Sequence, residues 1–256
     1  MIDVVTVMLM MINAGRSQHI EVPNCSLAGQ TYVNGFRLDD NSSLAIQQTF
    51  VGLCYTDEGI QFIPNCADDN IQSPYTQCNQ DLFNADVFEV FLSSDSTDEA
   101  PTYYLEVELS PHGVLFVTYV VNPNGVCNGI EDTLVDCGQS GIIYNATINS
   151  QGWNGYLLIP FNLIDKASRV SPPTPIKPGS QFRINMFRID TPLGSYKEYS
   201  AWHPTDESPP CFHVPSKFGY LTLFCDCWFA DRSSKKFFTL LILLKLLTHP
   251  SYSTSV

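Results

Sequence analysis

The most obvious deficit of this 256-residue sequence is positive charge. It contains 13 Lys and Arg residues against 26 Asp and Glu residues, which gives a formal net charge of −13 at pH 7. Binding to nucleic acid without sequence preference requires basic side chains that neutralise phosphates. The composition therefore argues against nucleic acid as a partner and favours a neutral or cationic one.

Motifs of several enzyme classes are also missing. The sequence has no Gly-x-Ser-x-Gly turn, no His-Glu-x-x-His helix and no glycine-rich phosphate loop. Glu106 and Glu108 share one face of a predicted strand, and a glycosidase needs two carboxylates roughly 5–9 Å apart. Alternating acids on an exposed face are usually solvated, however, so the sequence favours a binding protein over an enzyme.

No apolar run is long enough to cross a bilayer. Residues 237–247 are almost entirely apolar, but they number about half of the ~20 residues that a membrane-spanning helix needs. We therefore expect no membrane span and predict that residues 225–256 form a tail outside the fold. Within residues 1–18, the apolar run 4–12 is either the centre of a signal peptide or a first strand.

Cysteine, in contrast, is abundant. The chain has nine cysteines and three Asn-x-Ser/Thr sequons, which begin at Asn24, Asn41 and Asn145. Both features are typical of proteins that fold in the oxidising secretory pathway. A zinc site is the weaker interpretation, because the sequence has no Cys-x2-Cys pair. We predict an extracellular protein.

The cysteine spacing predicts two local disulfides. Cys66 with Cys78 and Cys127 with Cys137 would each close a short polar loop. Spacing alone does not fix the connectivity, and the odd number of cysteines leaves at least one thiol unpaired.

Short strands joined by turns account for most of the chain. Runs of β-branched and aromatic residues alternate with Gly, Pro, Asn and Asp, and no long amphipathic helix interrupts them. Residues 161–164 are predicted to form one helical turn. The pattern predicts an all-β fold over residues 19–224, a β-sandwich of about nine to eleven mostly antiparallel strands.

The strand predicted at residues 84–92 is central to this interpretation. Its residues alternate between two faces that both carry large apolar groups, such as Phe88 on one face and Phe91 on the other. Such a strand belongs in the middle of a sheet. Glu89 would then be buried, where a carboxylate needs a hydrogen-bonding partner or a ligand. The strand alone leaves both roles open.

Three blocks of the sequence resemble the family 9 carbohydrate-binding module and its relatives. The blocks are residues 86–92, then Trp153 with residues 158–161, then residues 185–188 with Trp202 and residues 213–221. Together they cover roughly residues 40–224. The resemblance implies a β-sandwich that binds sugars, is often attached to glycoside hydrolases such as xylanases, and in characterised members carries calcium as a structural ion.

The same resemblance implies a set of sugar contacts. Modules of this family hold a sugar ring between two aromatic side chains, at positions that match Phe83 and Phe212 in this sequence. The strand glutamate of the family matches Glu89. Apart from the resemblance, Arg188, with Asn185 on the same strand, is a candidate donor to sugar hydroxyls, or else a partner of Glu89 or Asp86.

These observations predict a monomeric, secreted, non-catalytic module that binds a mono-, oligo- or polysaccharide and assists polysaccharide breakdown. One alternative is an extracellular structural or protein-interaction sandwich that has lost sugar binding, and another is a glycoside hydrolase. Trp202 is expected to pack in the core, and His213 is expected to form structural hydrogen bonds.

Overall fold

A computed structural model describes residues 19–26, 29–168 and 175–224 of the chain. Residues 1–18, where the sequence allows a signal peptide or a first strand, and the predicted tail (residues 225–256) lie outside these residues. No helix within the three described ranges is long and apolar enough to cross a membrane.

The described residues form fourteen strands, one α-helix and two short 3-10 helices. The strands are β1 (His19–Val22), β2 (Thr31–Val33), β3 (Arg37–Leu38), β4 (Thr49–Tyr55), β5 (Gly59–Ala67), β6 (Val87–Ser93), β7 (Tyr103–Leu109), β8 (Leu115–Val121), β9 (Glu131–Leu134), β10 (Ile143–Asn149), β11 (Gly152–Pro160), β12 (Gln181–Asp190), β13 (Glu198–Ala201) and β14 (Gly219–Leu223). The helix α1 is Phe161–Asp165, and the 3-10 helices are Leu82–Asn84 and Pro215–Lys217.

Two sheets pack against each other as a sandwich. The larger sheet has nine strands, seven of them in the order β1-β14-β12-β6-β7-β8-β9, and β13 and β3 extend from β12. The smaller sheet has the order β10-β11-β5-β4-β2. The β1–β14 pair is parallel, and the other strand pairs are antiparallel. The predicted all-β sandwich is therefore confirmed.

Strand β6 lies in the middle of the larger sheet, between β12 and β7, as the sequence predicts. Phe88 and Val90 enter the core between the two sheets, where they join residues such as Trp153 of β11. Phe91 faces the opposite, outer side of the larger sheet. Every residue of β6 is buried, so both faces of the strand are covered.

A second apolar cluster covers this outer face. It combines the strand residues Phe91 and Phe187 with Leu82 of the first 3-10 helix and with Phe212 and Phe218, which precede β14. Irregular chain rather than a third sheet therefore encloses the outer side. The candidate binding cavity lies between these two covering segments.

The structure contains more strands than the sequence predicts, and the difference lies in the shortest ones. Strands β1, β2, β3, β9 and β13 have two to four residues each. Segments of this length are too short to show period-two alternation in a sequence. The predicted helical turn corresponds to α1.

The predicted cysteine pairing is wrong. The disulfides are Cys25–Cys54, Cys78–Cys137 and Cys127–Cys211, with Cα–Cα distances of 5.0, 6.0 and 6.4 Å. Cys66 is a buried free thiol in the core between the sheets. Cys78 instead lies in a loop fixed to β8, because the backbone N–H of Asn79 donates to the carbonyl of Leu115 at 3.0 Å. The fold, not loop length, therefore decides which cysteines meet.

Candidate ligand-binding site

A cavity of about 690 Å³ opens on the outer face of the larger sheet. Side chains of β6, β7 and β8 form its floor, and its rim comes from the first 3-10 helix, β9 and the segment before β14. Small-molecule pockets have volumes of roughly 300–1,000 Å³. Aromatic and acidic side chains are prominent in the lining, and none of the described residues that line it is Lys or Arg.

The register of the larger sheet brings three glutamates together under this cavity. Glu89 of β6 lies directly opposite Glu108 of β7, and Phe91 lies opposite Glu106. Because side chains alternate along a strand, the three glutamates project from the same face of the sheet. We refer to Glu89, Glu106 and Glu108 as the glutamate triad.

The glutamate triad is almost inaccessible to solvent. The exposed fractions are 2% for Glu89, 6% for Glu106 and 0% for Glu108. One carboxylate oxygen of each residue lies within 4.8 Å of the others. The expectation that Glu106 and Glu108 are solvated surface residues is therefore wrong, because the covering segments enclose the face that the sequence pattern leaves open.

The environment of the triad favours neutral carboxyls or a bound cation. Burial, followed by repulsion from neighbouring acids, raises the pKa of Glu89 and Glu108 well above the ordinary value, and burial raises the pKa of Glu106 to about 7. Among the described residues, no N–H or hydroxyl group donates to Glu89 Oε1 or to either oxygen of Glu108. Glu106 and Glu108 can bond to each other only when one of them carries a proton.

Phe83 lies on the rim of the cavity. It belongs to the first 3-10 helix, which buried Leu82 anchors to the outer cluster. The Phe83 side chain is 43% exposed, and its ring meets Phe116 of β8 edge to face, with centroids 6.4 Å apart. A face of the Phe83 ring is therefore available to a ligand.

Phe212 lines the same cavity but is more deeply buried. It is 6% exposed, and its ring stacks on Phe187 of β12 with centroids 4.3 Å apart. The adjacent disulfide Cys127–Cys211 fixes its segment to the loop between β8 and β9. The two aromatic residues expected to hold a sugar thus lie around one cavity, although each packs on a different strand residue, Phe83 on Phe116 and Phe212 on Phe187.

Arg188 does not join this site, contrary to the expectation from the sequence. It lies opposite Phe88 in the β12–β6 pair and points, like Phe88, away from the cavity. Its guanidinium is fully buried, bonds to Asp68 at 3.0 Å and to Asp190, and lies 5.3 Å from the ring centroid of Trp153. Arg188 therefore pairs with acids on the core side of the sheet rather than with Glu89.

Asn185 is also absent from the cavity lining. Its side-chain NH₂ donates to the carbonyl of His203 at 2.8 Å, and its Oδ1 accepts from the backbone N–H of His203 at 3.1 Å. The buried amide therefore fixes the chain after β13 to β12, which is a structural role.

The predicted structural roles of Trp202 and His213 agree with the structure. Trp202 packs against the core between the sheets. His213 Nδ1 lies 2.9 Å from the hydroxyl of Tyr104, and burial lowers the pKa of His213 to about 4. The imidazole is therefore neutral at pH 7.

The structural calcium implied by the family resemblance does not fit the acidic cluster on the core side. This cluster, which we call the aspartate cluster, consists of Asp68, Asp86 and Asp190. Arg188 already bonds to Asp68 and Asp190, and Asp86 accepts from the backbone N–H groups of Gln72 and Thr191. The guanidinium of Arg188 therefore already occupies the position of a cation between these acids.

Sequence reasoning considered Glu106 and Glu108 only as possible catalytic acids, and it did not associate them with Glu89. Their spacing of two residues places them on one strand face. Their proximity to Glu89 depends on the β6–β7 register, which the sequence does not specify. Phe116 was missed for the same reason, since its place opposite Glu108 follows from the β7–β8 pairing.

At the level of sequence, this chain resembles a known protein only distantly. No protein-family model matches the chain. A protein of Arthroderma benhamiae, named "Extracellular protein", is 28% identical over 189 residues, which cover 67% of this chain and 76% of that protein.

Solved structures show the same architecture at low sequence identity. A putative carbohydrate-binding protein from Bacteroides uniformis matches 80% of this chain and 98% of its own with a TM-score of 0.63 at 14% identity. A family 9 carbohydrate-binding module from Caldicellulosiruptor kristjanssonii, solved with cellotriose, matches 80% of this chain and 93% of its own with a TM-score of 0.52 at 13% identity. The same kind of module solved with glucose matches 80% and 95% with a TM-score of 0.50 at 14% identity. The chain thus has the β-sandwich fold of these modules, as the resemblance implied.

Proposed function

We propose that this protein is a secreted, non-catalytic module that binds a saccharide in the cavity on the larger sheet. The observation that carries the proposal is the cavity itself, with an acidic floor and an exposed aromatic rim, on a fold shared with modules solved with cellotriose and glucose. Three disulfides and a relative named as an extracellular protein support secretion.

Each wall of the cavity suits a different part of a sugar. A sugar ring has apolar C–H faces, which pack on aromatic planes, and hydroxyls, which need hydrogen-bonding partners. The exposed face of Phe83 offers the aromatic surface, and Phe212 closes the cavity on the covering segment. Glu89 and Glu106 line the floor and offer acceptors for hydroxyl groups. Arg188 and Asn185 are not part of this proposal, because other bonds hold them outside the cavity.

Calorimetric titration of the full chain with glucose and cellotriose, after a glycan-array survey, tests this proposal. Replacing Phe83 by Ala removes the exposed ring and should weaken saccharide binding about 2- to 13-fold, since an aromatic stacking contact contributes about 0.5–1.5 kcal/mol. Phe50→Ala is the matched control, because Phe50 is 41% exposed but stacks on Tyr32 on the smaller sheet.

Two outcomes would contradict the proposal. In the first, the folded protein binds no saccharide on the array or in the calorimeter. In the second, Phe50→Ala loses binding while Phe83→Ala keeps it, which would move the site to the smaller sheet.

Glycoside hydrolysis is a second candidate function, and one observation favours it. Glu89 and Glu106 both line the cavity, and burial raises the pKa of Glu106 to about 7, a property of a general acid. A glycosidase also needs an ionised partner, whereas burial raises the pKa of Glu89 as well. The measurement is the release of reducing ends from polysaccharides. Release by the wild type that Glu106→Gln abolishes would establish an enzyme.

A further inference from the structure

We infer that the glutamate triad, Glu89, Glu106 and Glu108, binds a divalent cation. The cation is one that prefers oxygen ligands, such as calcium. The inference concerns the metal alone and does not depend on saccharide binding. It differs from the calcium expected on the family resemblance, because that ion is structural, whereas this one lies at the floor of the binding cavity.

Uncompensated charge is the first argument. Three carboxyls converge in a region where exposure does not exceed 6%, and the groups that act on them electrostatically are further acids, Asp39, Asp81 and Asp132. A buried carboxylate is costly unless a partner or a metal ion balances it.

The second argument is a buried side chain that has no hydrogen-bond donor outside the triad. Glu108 is 0% exposed, and among the described residues no N–H or hydroxyl group donates to either of its oxygens. One of these oxygens is within 4.8 Å of oxygens of Glu89 and Glu106. Glu108 thus presents free acceptors to the point where the other two carboxylates converge.

The geometry favours calcium over magnesium. Three carboxylates supply up to six oxygens, and Ca²⁺ accepts six to eight oxygens in irregular arrangements, including both oxygens of one carboxylate. Mg²⁺ demands a near-ideal octahedron and retains several waters, whereas water can reach the triad only from the cavity side, because Glu108 is 0% exposed. Glu89 and Glu106 also line the cavity, so the remaining coordination positions of the ion face the space that a ligand would occupy.

The aspartate cluster provides an internal comparison. It also contains three buried acids, but Arg188 bonds to two of them. The glutamate triad has no such cation among the described residues that line the cavity. An added metal ion is therefore expected at the triad and not at the aspartate cluster.

The test uses the full chain stripped with a chelator, titrated separately with CaCl₂ and MgCl₂ in a calorimeter and in thermal unfolding. We expect one calcium per chain at this site, with a Kd of roughly 10⁻⁴–10⁻³ M as in other extracellular calcium modules, and weaker binding of magnesium. At a calcium concentration tenfold above Kd, the Tm should rise by about 3–6 °C.

Glu108→Gln is the decisive variant, because it keeps the shape of the side chain and removes one ligand charge. In chelator this variant should be at least as stable as the wild type, since a neutral amide of the same shape replaces a buried acid. Calcium affinity should nevertheless fall more than tenfold, and the calcium-dependent rise in Tm should vanish. Glu58→Gln, an exposed acid between β4 and β5, and Asp190→Asn, in the aspartate cluster, are controls that should bind calcium like the wild type. If Glu108→Gln fails to fold, Glu89→Gln replaces it.

Three results would overturn the inference. The folded wild type binds neither ion, the triad variant binds calcium as tightly as the wild type, or Asp190→Asn abolishes the binding instead. None of these results bears on saccharide binding measured in chelator, so the two proposals can fail separately.

Discussion

Two clusters of three buried acids lie on opposite sides of the larger sheet, and they differ in their partners. On the core side, Arg188 bonds to Asp68 and Asp190, and two backbone N–H groups donate to Asp86. On the cavity side, the glutamate triad has no basic partner among the described lining residues. The aspartate cluster therefore contains its own cation, Arg188, whereas the charge of the glutamate triad can be balanced only by protons or by an added cation.

The comparison distinguishes buried acids that stabilise the fold from buried acids that are available to bind a ligand. A buried acid that is paired and hydrogen-bonded holds the fold together, and removal of its partner is expensive. A buried acid without a partner lowers the stability of the unliganded protein and is available to a ligand. Burial or a raised pKa alone does not distinguish the two cases, because burial raises the pKa of both Asp190 and Glu106.

The largest expected effect comes from removing the cation of the aspartate cluster. Arg188→Met leaves three buried aspartates without their positive partner and should lower the free energy of unfolding by about 3–5 kcal/mol. The control is Lys217→Met, which breaks the exposed ion pair with Asp206 and should cost no more than about 1 kcal/mol. Denaturant unfolding measures both. Equal losses in the two variants would show that Arg188 is not an essential partner.

The next effect tests the rim of the cavity. Replacing Cys127 and Cys211 together by Ser should lower the free energy of unfolding by about 2–4 kcal/mol and should also weaken ligand binding, because this disulfide fixes the segment that carries Phe212. Replacing Cys25 and Cys54 by Ser removes a disulfide at β4, outside the cavity lining, and should cost stability alone. Unchanged binding in the first double variant would show that Phe212 does not need this constraint.

A smaller effect concerns pH. Burial raises the pKa of Asp190 to about 8 despite Arg188, so Asp190 binds more protons in the folded chain than in the unfolded chain between its unfolded pKa, near 4, and pH 8. Stability should therefore fall as the pH rises from 6.5 to 8, and the fall should be shallower in Asp190→Asn. The pKa of His213 is lowered to about 4 in the folded chain, so near pH 6.5 only the unfolded chain binds a proton at His213, and this contribution raises stability as the pH rises. It is the same in the wild type and in Asp190→Asn, so the difference between their slopes reports Asp190.

The groups that face Asp190 electrostatically are Arg188, Asp68 and Asp86. Denaturant unfolding in chelator at pH 6.5 and pH 8 gives the two slopes. Identical slopes in the wild type and in Asp190→Asn would mean that Asp190 has the same pKa in both states.

The smallest expected effect tests the domain boundary. Strand β14 ends at Leu223 and completes the larger sheet on the β12 side, where it pairs with both β12 and β1. Ending the chain after Phe224 should therefore leave the unfolding temperature unchanged and improve solubility, because the apolar run at residues 237–247 is removed. A markedly lower unfolding temperature would place residues 225–256 inside the fold.

The sequence predicts the strands of the sheet better than the residues of the site. The alternation of side chains along a strand is a local pattern, whereas the site depends on contacts between distant segments. The two-faced pattern around Phe88 and Phe91 correctly places β6 in the middle of the sheet. The same rule would have separated Arg188 from Asn185, since residues three apart on a strand point to opposite faces. The sequence analysis listed both residues as sugar contacts because of their hydrogen-bonding groups, although strand alternation places them on opposite faces.

The burial of Glu106 and Glu108 was not predictable in this way. Both residues follow an alternating pattern that is typical of a half-exposed strand. They are enclosed because segments about 20 residues before and 100 residues after them in the sequence fold over the outer face, a contact that alternation does not encode. The disulfide Cys127–Cys211, which spans 84 residues, escaped prediction for the same reason.

The buried thiol of Cys66 can report how fast the folded protein opens. In a chain that ends at Phe224, six of the seven cysteines after residue 18 are in disulfides, and Cys66 remains as the free thiol. Burial raises its pKa to about 12, so the folded chain offers neither access nor thiolate to an alkylating reagent. An alkylating reagent can react with Cys66 only after the two sheets separate. The rate of alkylation therefore reports the opening of the sandwich under native conditions.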